Sequence, residues 1–354
     1  MGRYLFVIQW LLPGGTETHI LTLAKALRAD GHDVGVFTAG GVFANRFRQQ
    51  GVEVYARNSF GLGATRSARA DLQKVVQSRR YSIVHAHDSA GFRLLAHTPL
   101  SATKVITVHG TYAKPLDVRR VGRVARRVMA VSPAVKAYLV SKCGIPKNRI
   151  RLVPNGVSIA VFRPGKDSSL RRQFGISQGD TVIGYAGRFT LRKRSVGIRV
   201  CRMLAEYAAT HKNVHVLVAG RMSREALGRS LGPRVHVLGV VYNMARFYRN
   251  CDAVVGTGRV ALEAMACEIP TIAIGEAGFA GRMTESNLAQ AWRSNFGDHG
   301  TPHPWSAKRL FSDLDDALYP SPNSRASTRH VRRLVMHNFS NHRMVERTRH
   351  AYQH

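Results

Sequence analysis

CDAVVGTGRVALEAMACEIPTIAIGEAG, residues 251–278, is the stretch from which the fold of this chain can be inferred. Its first apolar run, Ala253 to Val255, is short and β-branched and closes on Gly256-Thr257-Gly258, as a buried strand ending in a tight turn does. Arg259 to Cys267 has helical composition, and Pro270 to Ile274 is typical of a second buried strand. The order strand, glycine turn, helix, strand predicts a βαβ unit whose helix N-terminus can face an anion.

Glu263 lies one turn inside this predicted helix. A carboxylate offers only acceptors, and both of its oxygens can engage paired sugar hydroxyls. The alternative is a solvated glutamate on an exposed helix face. The segment LEAMACEIPTIA resembles the EAMA-x-G-x-P-V signature of glycosyltransferase family 4, the retaining enzymes of GT-B architecture. This resemblance implies that Glu263 hydrogen-bonds the ribose of a nucleotide-sugar donor.

The chain departs from the family pattern close to this glutamate. Family 4 usually has a second glutamate eight positions earlier that touches the donor sugar, and here that position is Val255, after a shortened strand-to-helix loop. Gly258 and Arg259 place a helix N-terminus and a cation where that acid would stand. The resemblance therefore includes both residues in the donor site but leaves the sugar open.

The net charge of the chain indicates which classes of binding partner to expect. The 354 residues include 53 lysines and arginines against 21 aspartates and glutamates, a formal charge of +32 at pH 7. Such an excess calls for a polyanionic neighbour, namely an anionic bilayer, a phosphorylated substrate or nucleic acid. The basic stretches lack interleaved aromatic residues and no nucleic-acid recognition module is evident, so we do not expect nucleic acid as a partner.

Hydropathy and cysteine usage bear on the compartment. An apolar content of 44% is sufficient for packed cores, and no apolar run approaches the roughly 20 residues of a membrane span. The chain begins with a strand and lacks the pattern of a secretory signal. Four cysteines without metal-ligand spacing indicate buried thiols in a reducing compartment: Cys143, Cys201, Cys251 and Cys267. We therefore expect a cytoplasmic protein that is peripheral at the inner face of the membrane.

A glycine pair separates a strand from a helix near the start of the chain. Tyr4 to Leu12 is apolar, Gly14 and Gly15 follow, and Thr16 to Leu27 has apolar residues at helical spacing. Backbone N–H groups at such a turn can meet a phosphate. GGTETHILTLAKALRADGHDVGVFT resembles the opening βαβ of family 4. This implies that Gly15, with Gly14 beside it, lies under the donor diphosphate.

Two further strands end in histidines. SIVHAH carries His85 and His87, with Asp88 next, a group that could be considered for metal binding. We expect packing to place these histidines instead, one inward and one outward, so no metal site is predicted. KVITVHG ends on His109, and its resemblance to the family's VHG segment implies that His109 reaches the donor sugar. The alternative for His109 is a structural role.

DVRRVGRVARRV, residues 117–128, predicts an amphipathic helix with a basic face. Its arginines fall at i, i+1, i+4, i+7 and i+8, which at ~100° per residue is one narrow face opposite the valines. We expect this face to bind an anionic membrane surface. The alternatives are a solvated basic face or a site for a polyanionic acceptor. The residues concerned are Arg119, Arg120, Arg123, Arg126 and Arg127.

Proline, glycine and serine between Arg163 and Ser169 are typical of a linker. We therefore predict an N-terminal Rossmann-like acceptor-side domain over residues 1–165 and a C-terminal Rossmann-like nucleotide-sugar-binding domain over residues 166–338. By resemblance to family 4, the helix over residues 339–354 crosses back to the first domain. The predicted class is α/β, with two Rossmann-like domains facing each other across a cleft.

Two cations precede the organising stretch. Arg188 and Lys193 match the arginine and lysine of the family's GR-x4-K motif. A departing nucleoside diphosphate builds negative charge, which arginine can bind bidentately and lysine as a point charge. The alternative is a pair of ordinary surface cations. The resemblance further implies that the backbone near Gly239 and Val240 reads the nucleotide base.

Asp313-Leu314-Asp315 is formally the D-x-D metal motif of another glycosyltransferase architecture. AKRLFSDLDDALY has helical spacing, however, and predicts an amphipathic helix with a solvated acidic face. We therefore expect neither a metal nor a cofactor besides the nucleotide-sugar donor.

These residues and the resemblance favour a metal-independent, retaining, hexosyltransferase-type glycosyltransferase. It would transfer a sugar from a UDP- or GDP-linked donor to a cell-surface glycan or lipid-linked acceptor, in polysaccharide or cell-envelope biosynthesis. Catalysis would rest on Arg188, Lys193 and His109. The alternatives are a nucleotide-sugar epimerase of the same architecture, a basic protein that binds nucleic acid or another polyanion, and an inactive homologue in which Val255 replaces the usual acid.

Overall fold

The computed structural model describes residues 1–57, 60, 65–187, 189, 193–221, 227, 231–300 and 305–353. The chain forms two compact units, Met1–Gly156 with Asn341–His354, and Val157–Ser340. The boundary expected near residue 165 thus falls inside the second unit. Val157 forms a parallel bridge with Ser340, and its N–H donates to the Phe339 carbonyl at 2.8 Å. This pairing anchors the residues before the predicted linker in the second unit.

The first unit is built on parallel strands. Its described strands are β1 Arg3–Val7, β2 Asp33–Thr38, β3 Glu53–Ala56, β4 Ile83–Ala86, β5 Thr103–Val108, β6 Arg127–Ala130 and β7 Ile150–Leu152. They pair in parallel in the order β3-β2-β1-β4-β5-β6-β7. The strand order reverses direction between β1 and β4, and this switch point is where doubly wound sheets bind ligands.

Helices connect these strands. They are α1 Gly15–Ala29, α2 Ala44–Arg48, α3 Arg66–Ser78, α4 Ser89–His97, α5 Pro115–Val124 and α6 Pro133–Ser141, with a 3-10 turn at Lys147–Arg149. Helix α1 buries Ile20, Leu23 and Leu27 against the sheet, as their helical spacing predicts.

The basic helix is shorter than its sequence pattern predicts. Helix α5 ends at Val124, Ala125 is extended, and Arg127 begins β6. Arg126 and Arg127 therefore lie outside the helix, and the expectation of five arginines on one helix face is wrong. The physical reason lies in Val128, which is fully buried within β6 and is paired there with Ile150. Burial of the apolar residues 128–130 in the sheet outweighs the local helical pattern.

The second unit repeats the pattern. Its described strands are β8 Thr181–Ala186, β9 Val214–Ala219, β10 Val235–Gly239, β11 Ala253–Gly256, β12 Thr271–Gly275 and β13 Gly278–Arg282. Their order is β10-β9-β8-β11-β12-β13, parallel except that β13 runs antiparallel to β12. The switch point here lies between β8 and β11.

The described helices of the second unit are α7 Ser169–Gln173, α8 Arg194–Thr210, α9 Met244–Arg249, α10 Arg259–Ala266, α11 Leu288–Arg293, α12 Ala307–Leu318 and α13 Pro322–Phe339. The succession of β11, α10 and β12 confirms the predicted βαβ unit. Helix α12 confirms that the D-x-D segment is helical. Asp315 and Asp316 are exposed on it, while Asp313 is half-buried and accepts the Arg282 N–H at 2.8 Å.

The last helix, α14 Asn341–Gln353, belongs to the first unit. Met344, Val345, Ala351 and Tyr352 are buried in the same core cluster as Phe6 of β1. The Tyr352 hydroxyl lies 2.8 Å from Nδ1 of His85. This contact joins the end of the chain to the centre of the first sheet.

The four cysteines are buried and form no disulfides, as the sequence predicts. Burial raises the pKa of the Cys201 and Cys267 thiols to about 12, so they are inert at neutral pH. Among the helices in the described ranges, none is both long enough and apolar enough to cross a membrane.

Candidate functional site

A glycine turn at the β8–β11 switch point shapes the site of the second unit. Strand β11 ends at Gly256 and α10 begins at Arg259, so only Thr257 and Gly258 connect them. Gly258 has φ +56°, and a Cβ at this position would lie 3.1 Å from Nδ2 of Asn295. The backbone conformation therefore favours glycine at this position, and the Asn295 side-chain amide leaves little space for a larger residue.

Val255 is fully buried in β11, within the same core cluster as Ile272 and Val218. A carboxylate at this position would be enclosed by apolar side chains of the core. The short connection after β11 leaves this residue inside the strand. The valine is consequently a packing residue, and an acid that serves the site must come from elsewhere in the chain.

Glu263 is buried and held from two sides. The Arg259 guanidinium donates to its Oε1 at 2.8 Å, one helical turn away, and the Tyr248 hydroxyl donates to its Oε2 at 2.9 Å. The side chains of Glu263 and Arg259 are only 10% and 14% exposed. Burial, reinforced by the adjacent Glu263 charge, raises the pKa of Tyr248 well above its ordinary value, so this hydroxyl remains a donor. The alternative of a solvated glutamate is wrong for Glu263.

This arrangement is compatible with a further ligand at Glu263. A carboxylate has about four lone-pair positions on its two oxygens. Arg259 and Tyr248 each take one, which orients the group and leaves acceptor positions for hydroxyls. Sequence reasoning did not single out Tyr248, which reaches the site from α9 through the fold.

Lys193 forms an ion pair with Asp298, which sequence reasoning also missed. The Nζ of Lys193, the residue that caps the N-terminus of α8, contacts Oδ1 of Asp298. The second carboxylate oxygen lies 3.3 Å from Nε2 of His299, which is 2% exposed. Burial of Asp298 opposes its ionisation, but the hydrogen bond and charge of His299 and the charge of Lys193 hold its pKa below its ordinary value. In the sequence, the feature that could have marked Asp298 is its position in the glycine-flanked segment FGDHG.

The remaining predicted donor residues of this unit lie at strand ends or outside the described residues. Gly239 is the last residue of β10 and has φ +68°, and Val240 after it is 37% exposed. Strands β8 and β10 end on the same edge of the parallel sheet as β11. Arg188 lies outside the described residues. Its role in the site stays a prediction.

In the first unit, histidines gather at the carboxyl ends of the strands. His87 follows β4 and His109 follows β5, and Nδ1 of His87 lies 3.0 Å from Nε2 of His109. His19 of α1 packs on both rings, with centroids 5.7 Å from His87 and 4.9 Å from His109. The ligand atoms of these three residues lie within 4.8 Å of one another. Three imidazoles at this spacing could hold an ion such as Zn²⁺.

The expectation that one of His85 and His87 points inward and the other outward is wrong. Both are buried, with ring centroids 4.1 Å apart, because residues two apart on a strand share a face. His85 bonds at 2.8 Å to both Tyr352 and Thr107 and is thus a structural histidine. Burial lowers the pKa of His85 and His87 well below the ordinary value, so both rings are neutral at pH 7.

Gly14 and Gly15 lie at the same edge of the first sheet. Gly14 is the extended N-cap of α1, and Gly15 is its first residue. The first-turn N–H groups of this 15-residue helix point out of its N-terminal end, and His19 lies one turn further along the helix. The structure brings the glycine pair and His109 to one edge of the sheet, but it places the basic residues of α5 separately on an exposed helix surface.

Comparison with known proteins agrees with this architecture. Residues 13–161 match the family model described as Glycosyltransferase Family 4, and residues 166–290 match the model described as Glycosyl transferases group 1.

Two similar sequences are D-inositol 3-phosphate glycosyltransferases. That of Segniliparus rotundus is 29% identical over 235 residues, which is 55% of this chain and 51% of that protein. That of Pseudarthrobacter chlorophenolicus is 26% identical over 313 residues, which is 73% of this chain and 74% of that protein. The fold is shared with Anabaena HepE in complex with UDP-glucose, with a TM-score of 0.78 and 19% identity over 100% of both chains.

Proposed function

Because the chain is a glycosyltransferase family 4-like protein with the GT-B architecture, we propose that it is a retaining, hexosyltransferase-type glycosyltransferase that uses a UDP- or GDP-linked sugar. The observation that carries this proposal is the buried carboxylate of Glu263, which Arg259 and Tyr248 orient at the switch point of the second sheet. Its remaining acceptor positions suit the paired hydroxyls of a ribose. Gly239 and Val240, at the end of β10, would contact the base.

Lys193 supports the diphosphate part of the proposal. An ammonium group has three donors, of which Asp298 takes one. Lys193 is also the N-cap residue of the 17-residue helix α8, and the helix dipole favours an anion at this end. Together with Arg188 it would stabilise the charge on a departing nucleoside diphosphate, so we propose that no metal ion is needed. Gly258 and Arg259, at the N-terminus of α10, complete this set.

The first unit would contribute from its own switch point. The N-terminal turn of α1 at Gly14 and Gly15 suits a phosphate. Packing against His19 and His87 holds the ring of His109, which would contact the sugar. The neutral state of His87 is consistent with a hydrogen-bonding rather than a charge-stabilising role for this ring.

For the acceptor we propose a cell-surface glycan or lipid-linked molecule in polysaccharide or cell-envelope synthesis. Exposed arginines on and just after α5 would hold the protein reversibly against anionic lipid at the inner face of the membrane: Arg119, Arg120, Arg123 and Arg126. Each basic residue near an anionic leaflet contributes about 1 kcal/mol. Half-buried Arg127 would contribute less. Because two similar proteins are named for D-inositol 3-phosphate, phosphorylated cyclitols belong in an acceptor screen.

The proposal is tested by adding UDP, GDP and their sugar conjugates one at a time and measuring thermal unfolding. A ligand at ~100 times its dissociation constant should add about 2.7 kcal/mol of stability. The Lys193→Ala variant should lose this stabilisation for any ligand that wild type binds. Product analysis without acceptor separates transfer from epimerisation, because an epimerase would convert the donor sugar. If no nucleotide or nucleotide sugar stabilises the wild type, the proposal is wrong.

A further inference from the structure

The second unit contains a turn with strained backbone between α11 and Asp298. Asn295, Phe296 and Gly297 have φ values of +52°, +59° and +83°. Two consecutive non-glycine residues in the left-handed region are disfavoured, and such strain persists only where the surroundings enforce it. Strain of this kind clusters at functional sites, so its consequence for the neighbouring side chains is informative.

Hydrogen bonds join this turn to Thr257 and Gly258, the two residues that precede α10, and to Ala277. The Gly258 N–H donates to the Asn295 carbonyl at 3.2 Å, and the Thr257 hydroxyl donates to the Phe296 carbonyl at 2.8 Å. The Ala277 N–H donates to the Gly297 carbonyl at 2.9 Å. The Phe296 side chain is fully buried and lies 6.0 Å from the Phe339 ring, measured between centroids. The backbone after Gly297 is therefore fixed.

Asp298 directly follows this turn, so the fixed backbone determines where its side chain lies. Its carboxylate contacts Lys193 and lies 3.3 Å from His299, and a Cβ on Gly258 would be 3.8 Å from its Oδ2. The Asp298 side chain is 13% exposed. An ionised acid thus occupies the space between the lysine that would bind the diphosphate and the start of α10.

A carboxylate in this place repels phosphate oxygens, so it is not a diphosphate ligand. The transferred sugar, however, is bonded directly to the terminal phosphate of the donor. A group in contact with the lysine that holds this phosphate is therefore within reach of sugar hydroxyls. Carboxylates are acceptors only, and hydroxyls are donors that match them. The first turn of α10 contains no acidic residue, and Val255 in the preceding strand is a buried valine.

We propose that Asp298 recognises the donor sugar, its carboxylate accepting hydrogen bonds from sugar hydroxyls while Lys193 holds the diphosphate. This inference rests on the proposed function. It makes Asp298 a residue that discriminates between sugars, and His299 the residue that helps hold the carboxylate in place.

The test compares the affinity for a nucleotide with that for its sugar conjugate, using UDP and UDP-glucose, and GDP and GDP-mannose, by calorimetry. Asp298→Asn keeps the shape but removes the charge. It should weaken binding of the preferred nucleotide sugar by about tenfold or more, the loss of a charge-assisted hydrogen bond, and leave binding of the nucleotide unchanged or tighter. A merely structural loss of the Lys193 contact would weaken both ligands together.

Asp252→Asn is the matched control, because Asp252 forms an ion pair with Arg171 in the same unit at 2.6 Å. It should change neither affinity. If Asp298→Asn does not fold, Asp298→Glu keeps the charge, displaces the oxygens and should show the same split between sugar conjugate and nucleotide. Equal losses for both ligands, or no loss for the sugar conjugate, would overturn the inference alone. Absence of any nucleotide or nucleotide-sugar binding by wild type would overturn the proposed function as well.

Discussion

Replacing Glu263 with glutamine separates the structural role of its carboxylate from the ribose-binding role that we propose for it. The residue stabilises α10 through Arg259 and Tyr248, and we propose that it also binds the ribose. Glutamine preserves the volume and keeps one oxygen acceptor. That oxygen would face Arg259, which has only donors to offer, and the new amide nitrogen would face the Tyr248 oxygen.

The expected loss of folding stability follows from these contacts. The Arg259–Glu263 pair is little screened, since its side chains are 14% and 10% exposed. Exchanging a carboxylate for an amide in one short charge-assisted hydrogen bond should lower the free energy of unfolding by about 1 to 2 kcal/mol. The variant should remain folded, because the bond itself is retained in a weaker form.

The expected loss of binding is separate and concerns nucleotide affinity. A ribose hydroxyl bonded to a carboxylate contributes about 1.5 to 3 kcal/mol, so Glu263→Gln should weaken UDP or GDP binding by about ten- to a hundredfold. Urea denaturation measures the first quantity, and calorimetry on the folded variant measures the second. Tyr248→Phe is the matched control, since it removes one donor to Glu263 and should cost about 1 kcal/mol of stability with a smaller change in affinity.

The two readouts decide between a structural and a binding role. If Glu263→Gln loses stability but binds the nucleoside diphosphate as tightly as wild type does, the carboxylate only anchors Arg259 and Tyr248. In that case the ribose assignment, and with it the observation that carries the proposed function, would be refuted.

Three other outcomes are expected. Lys193→Ala should lower turnover about a hundredfold or more, the loss of one preorganised charge contact, while wild-type activity survives EDTA; full activity of the variant, or inhibition by chelation, would contradict the diphosphate assignment. The folded structure holds the pKa of Asp298 below its unfolded value of about 3.9. The ion pair of Asp298 therefore stabilises the fold above that pH, and this stabilisation decreases as the pH falls toward the folded-state pKa. The stability difference between wild type and Asp298→Asn should thus be smaller at pH 3 than at pH 7 in urea titrations, and an equal difference would refute this. Substituting Arg119, Arg123 and Arg126 with glutamine should weaken sedimentation with anionic vesicles at low salt, while 1 M salt should release wild type because it shortens the screening length to about 3 Å; wild type that stays in the supernatant at low salt would exclude the membrane surface.

Local patterns in the sequence were sufficient for the fold and for part of the site. The apolar runs around the glycine turn predict β11, α10 and β12, because a buried strand and an amphipathic helix each leave their own periodicity. Arg259 and Glu263 are four residues apart, so helical geometry alone brings them together.

Tertiary structure decided the contacts between distant segments. Asp298 meets Lys193 across 105 positions, because a turn with left-handed backbone carries it to the glycine turn. His19 reaches His87 and His109 only because the sheet order places α1 beside the ends of β4 and β5. Sequence periodicity reports which face of an element is buried, but it contains no information on which other element covers that face. The same limit explains Arg126 and Arg127: their spacing fits a helix, but burial of the following apolar residues 128–130 in β6 decides the local structure.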